Sequence, residues 1–153
     1  MLRSIIVKVN EIRQIQKINT LVKAFEKKYP KIIASGCHRN YCEIPAAEFK
    51  EFGEKHGFDI EKVYGDFIID NPEFKRADFT QTELSNMKIN GLDPNSKKDR
   101  IKFAEKENLI DELKKVPHFW NEYQGRIIDF TGYKQFVETG LASDLDSSRY
   151  QKD

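Results

Sequence analysis

The sequence has little of what announces a function outright. Two cysteines among 153 residues exclude a disulfide framework as the source of stability. No apolar run is long enough for a membrane span. The patch Ile5 to Val9 is interrupted by Lys8 and lacks a small-residue cleavage site after it, so neither a signal peptide nor a membrane span is expected there. No charge of one sign dominates either: 26 Lys and Arg stand against 25 Asp and Glu, and no global field recruits nucleic acid or acidic lipid. The local basic run at Lys97, Lys98 and Arg100 is interleaved with Asp99, Glu105 and Glu107, which reads as a solvated helix face. There are no internal repeats and no low-complexity tract. The expectations are therefore a cytoplasmic protein with reduced thiols, no partnership with nucleic acid or membrane, and no cofactor.

What is present is an aromatic-rich chain, with 11 Phe and six Tyr, of a size that buries one core without disulfides or metals. Residues about 4–28 carry Ile5, Val9, Ile12, Ile15, Leu21, Val22 and Phe25 at mixed three and four spacing, predicting one or two amphipathic helices that cover the core. Glu43 to about His56 reads as a helix with Pro45 in its first turn, an apolar stripe of Ala46, Phe49 and Phe52, and Gly57 past its end. Asp59 to Asp70 reads as a strand bent at Gly65. Thr80 with Glu83 is the signature of a capping box, opening a helix that Asn90 and Gly91 end. Ser96 opens another helix, about 97–115, which Pro117 breaks. Past Phe136 the apolar content falls, and Asp144 to Asp153 is expected to be loosely ordered.

The run His118 to Asp129, HFWNEYQGRIID, predicts two antiparallel strands, 118–123 and 126–131, joined at Gln124 and Gly125. That turn pairs Tyr123 with Arg126, Glu122 with Ile127, Asn121 with Ile128, Trp120 with Asp129 and His118 with Thr131. His118, Trp120, Glu122, Ile127, Asp129 and Thr131 then share one face, with Asp129 diagonal to His118 and within its reach. A carboxylate there would fix the tautomer of the imidazole and stabilise its protonated form, as a general base requires. The plain alternative is a hairpin with a satisfied core histidine and an aspartate accepting ordinary backbone hydrogen bonds. The hairpin by itself favours that alternative.

A nucleophile would come from Cys37 or Cys42. Cys42 stands at the helix start, four, seven and ten residues before Ala46, Phe49 and Phe52, so its thiol projects from the inward face. The free amides and positive end of the macrodipole there favour a thiolate, and the same amides suit an oxyanion. Cys37 lies in the polar stretch Ala34 to Tyr41 with nothing comparable to activate it. Cys37, His38, Cys42 and a distant histidine could instead bind zinc, but the spacing fits no familiar zinc module, and no metal is expected.

Taken together, Asn40 to Ala47, then Gly57-Phe58 and Val63-Tyr64-Gly65, then His118 to Glu122, and Gly125 to Thr131 with Gln135-Phe136, resemble the transglutaminase-like branch of the papain-like cysteine peptidase superfamily. The resemblance covers residues about 36–136. It implies an α+β fold: a cysteine-bearing helix packed on a small antiparallel sheet, with added N-terminal and insertion helices. Chain length predicts a single domain over 1–153: a helical segment at 1–30, a core at 36–136, catalytic by the resemblance, with a helical insertion at about 71–117, and a tail at 137–153. The triad implied by the resemblance is Cys42, His118 and Asp129, with Asn40, Trp120 and Gln135 as oxyanion or cleft candidates. The implied reaction is amide-bond chemistry on a protein or peptide substrate through a thioester. Hydrolysis by a protease or amidase needs no dedicated amine site and is the expected outcome. Deamidation and transglutamination use the same three residues, and a catalytically inactive binding module with the same fold is the alternative. The oligomeric state is left open.

Overall fold

The computed structural model describes residues 2–36, 42–131, 140–141 and 147–153. Its elements combine helices and one sheet, an α+β architecture. Helices α1 (Leu2–Lys28), α2 (Pro30–Gly36) and α3 (Glu43–Lys55) precede strand β1 (Glu61–Ile68). Helices α4 (Gln81–Ile89), α5 (Lys97–Lys106) and α6 (Ile110–Leu113) follow, then strands β2 (Lys115–Tyr123), β3 (Arg126–Asp129), β4 (Gly140–Leu141) and β5 (Tyr150–Lys152). The sheet order is β4-β3-β2-β1-β5.

Two compact units are distinguishable, 1–65 with 118–153, and 66–117. The first has an aromatic core. Phe25, Phe49 and Phe130 meet pairwise with ring centroids 4.9–5.2 Å apart, joined by Ile18, Leu21, Val22, Phe52, Ile60, Tyr123 and Ile128. Burying each such phenylalanine contributes about 2–3 kcal/mol relative to leaving it in water. α3 enters this core because Ala46, Phe49 and Phe52 repeat at three-residue spacing on one face. Pro45 is tolerated because amides of a first helical turn have no intrahelical partner.

α1 departs from expectation. It is one helix of 27 residues, and only its second half covers the core, through Ile18, Leu21, Val22 and Phe25. Ile5, Val9 and Ile12 are exposed, as are Leu2, Ile6 and Val7. Among the described residues no helix is long and apolar enough to cross a membrane.

The β2–β3 hairpin has the expected register: Asn121 faces Ile128, Glu122 faces Ile127 and Tyr123 faces Arg126. Gln124 (φ 49°) and Gly125 (φ 75°) both take the left-handed conformation, as a two-residue turn matching strand twist demands. The strands differ at their outer ends, β2 starting earlier and β3 ending at Asp129.

The second unit packs Phe79, Leu84, Met87, Phe103 and Ala104 into its own small core. The Thr80–Glu83 capping box is present in both directions, and Gly91 (φ 76°) follows the end of α4. The single helix expected over about 97–115 is instead two. Asn108 adopts φ 55°, closing α5 with a Leu109 N–H to Ala104 carbonyl bond of 2.9 Å before α6 begins. The tail also differs: Tyr150–Lys152 is not loose but adds a strand to the sheet beside β1.

Candidate functional site

Alternation along β2 puts His118, Trp120 and Glu122 on one face and Asn121 and Tyr123 on the other. The second pair meets the helices: Asn121 Nδ2 donates to the Ala46 carbonyl of α3 at 2.8 Å, and Tyr123 joins the aromatic core. That bond fixes α3 along the strand. At the start of the helix, Cys42 lies close enough to the His118 side chain and the Phe119 backbone for both to act on its thiol.

His118 and Asp129 complete the arrangement. His118 Nε2 lies 2.8 Å from Asp129 Oδ2, joining β2 to β3 by the expected diagonal. Asp129 is itself held: its Oδ1 accepts from the Thr131 amide at 3.0 Å and its Oδ2 from the Tyr150 hydroxyl at 2.8 Å. Cys42, His118 and Asp129 are 7%, 3% and 1% exposed, so these interactions act with little screening by water.

The electrostatics favour an ion pair. Burial alone would raise the Cys42 thiol, but the neighbouring His118 imidazolium and the Phe119 backbone outweigh it, and its pKa is lowered. Burial alone would lower the His118 imidazole, yet the Asp129 and Cys42 hydrogen bonds and their negative charges raise it to about 9. Thiolate and imidazolium each stabilise the other.

Trp120 is buried behind His118, the two rings stacked at 6.1 Å and 25°. Its wall is an inner one. The indole Nε1 is a buried donor with no hydrogen-bond partner among the described residues. Asn40 and Gln135, the other oxyanion or cleft candidates, lie outside the described residues, as do Cys37 and His38 of the zinc alternative. Among the described residues no group of three or more His, Cys, Asp and Glu is gathered in a form that could hold a metal ion.

Sequence reasoning missed Tyr150 and the strand that carries it. Its ring packs edge-on against Trp120 at 5.1 Å, and its hydroxyl reaches Asp129. Lys152, two residues on and so on the same face of β5, pairs with the buried Glu122. The only sequence signal was a lone aromatic in a charged tail, with three residues too few to show strand periodicity.

No protein-family model, no curated protein and no solved structure matches this chain.

Proposed function

We propose that this protein performs cysteine-dependent amide-bond chemistry on a protein or peptide substrate, through a thioester on Cys42, with a core of the papain-like, transglutaminase-like type. The observation that carries the reading is the buried His118, hydrogen-bonded to Asp129 and electrostatically coupled to a cysteine at the start of a helix. In such an arrangement the Cys42 thiolate attacks the carbonyl carbon, and the oxyanion draws on the amides at the head of α3. The His118 imidazolium then gives its proton to the departing amine as the C–N bond breaks, leaving a thioester. Water, giving up a proton to the now neutral His118, attacks the thioester; the acid leaves and the thiolate returns to its imidazolium partner. Asp129 keeps the ring oriented throughout. Hydrolysis needs only water as acceptor, which makes protease or amidase activity the first to assay. An amine acceptor on the same thioester would give transglutamination, and a glutamine side chain as substrate would give deamidation.

Alkylation tests the reading. Rates with iodoacetamide across pH 4–10 are compared for wild type, Cys42→Ala, Cys37→Ala and His118→Ala. Selective labelling of Cys42 at mildly acidic pH, lost without His118, is the expected result. Equal reaction of both cysteines near the ordinary thiol value of about 8.5 would overturn it. A binding module without chemistry is the second reading, favoured by the burial of Cys42, since a nucleophile must be reached by its substrate. That module would show a slow, unactivated thiol.

A further inference from the structure

Asp129 Oδ2 is shared. It accepts one hydrogen bond from His118 Nε2 at 2.8 Å and another from the Tyr150 hydroxyl at 2.8 Å. Tyr150 comes from β5, which lies beyond β1 from the hairpin in the sheet. It reaches Asp129 because β1 has no side chain at Gly65. A Cβ built there would overlap the Gln151 carbonyl oxygen and lie 2.7 Å from Trp120 Cη2. Sequence positions 65, 120, 129 and 150 are thus fitted to one another around the imidazole.

We propose that Tyr150 is a positioning residue of the Cys42–His118–Asp129 site, its phenol holding Asp129 Oδ2 in line with His118 and taking up part of the carboxylate charge, so that β5 completes the site. The proposal rests on the amide-chemistry reading above and adds a positioning residue to that same site. The phenol stays protonated at ordinary pH, because burial and the neighbouring Asp129 charge both push its pKa up, so it is a donor wherever the site works. A carboxylate oxygen that already accepts from a phenol is a weaker base towards the imidazolium. Tyr150 therefore makes His118 a better acid than Asp129 alone would allow, which suits a group that must surrender its proton to a leaving amine. Among the described residues, the charged groups acting on the imidazole are Cys42 at the start of α3 and Asp129 of β3. Glu122, on the same face of β2, is paired with Lys152 of β5.

The test is a titration of the His118 ring by nuclear magnetic resonance on isotope-labelled full-length protein, alongside the Cys42 alkylation profile. In Tyr150→Phe the ring packing on Trp120 is kept and only the hydroxyl is lost, so the His118 midpoint is expected to rise, with proton affinity about threefold higher or more. Incorporating 3-fluorotyrosine at position 150 strengthens the donor and is expected to move the midpoint down. Unchanged midpoints in both variants, or a fall in Tyr150→Phe, would overturn the proposal while an activated Cys42 in wild type left the amide-chemistry reading standing. An unactivated Cys42 in wild type would remove the reading on which the proposal rests, whatever Tyr150 does to the imidazole.

Discussion

His118 Nε2 and Asp129 Oδ2 meet at 2.8 Å across a hairpin diagonal, both almost wholly buried. The pair has a thermodynamic signature. Folding lifts His118 from 6.5 to about 9, so its contribution to stability is fully present below about pH 6.5 and is lost as pH rises through about 9. At about 1.36 kcal/mol per unit this is worth about 3 kcal/mol at most, divided between Asp129 and Cys42. The difference in unfolding free energy between wild type and Asp129→Asn should thus be large at pH 6 and much smaller near pH 10. Chemical denaturation at both values checks it, and a gap constant with pH would contradict the ion pair.

Trp120 supplies the next prediction. A free indole N–H in a buried site contributes to the reaction only if it meets the charge that develops on the substrate. Trp120→Phe keeps an aromatic ring against His118 and Tyr150 but removes that donor. If the indole N–H meets the oxyanion of the thioester mechanism, turnover falls about 10²-fold, in keeping with the loss of one oxyanion donor, while Cys42 alkylation by iodoacetamide changes little. Equal losses in alkylation and turnover would mean that the indole only supports the histidine.

The hairpin and the cysteine helix were legible in sequence because both are local. Gln124-Gly125 sets the register, and a register fixes which side chains share a face, so Asp129 beside His118 followed from counting. Spacing from Cys42 to Phe49 and Phe52 similarly placed the thiol at the head of an inward-facing helix. The rest depended on contacts distant in sequence. Nothing near Tyr150 says that its strand pairs beside β1, since that depends on Gly65, some 85 residues earlier. Nor does the apolar spacing of α1 reveal that Ile5, Val9 and Ile12 remain in solvent, because periodicity marks an amphipathic face whether or not something covers it. Asn108 ended α5 by taking a left-handed conformation that asparagine tolerates but does not advertise.

In the second unit, Thr80 offers a local test. Its hydroxyl accepts from the Glu83 amide at 3.1 Å, and Glu83 Oε1 accepts from the Thr80 amide at 2.7 Å. Thr80→Ala removes one half of this box and is expected to cost about 1 kcal/mol. Hydrogen exchange should then accelerate first at the amides opening α4. Uniform acceleration across the chain, with none concentrated there, would show that the cap is not what holds the helix end.

Gly65 links the sheet to the site and gives the most demanding prediction. The overlap of any Cβ at this position is with backbone of β5 and with the fixed end of a buried indole, neither of which is a flexible side-chain tip. Gly65→Ala must therefore displace β5 or Trp120, at a cost of about 1–3 kcal/mol typical of overpacking. If β5 yields, Tyr150 is drawn off Asp129, and the His118 titration should shift upward as in Tyr150→Phe. Combining the two substitutions then separates the effects: the titration shift should not add, because both remove the same hydrogen bond, whereas the loss of stability from the displaced backbone remains. Thermal denaturation together with the His118 titration measures both quantities, and additive titration shifts would show that Gly65 acts on the imidazole by a route other than Tyr150.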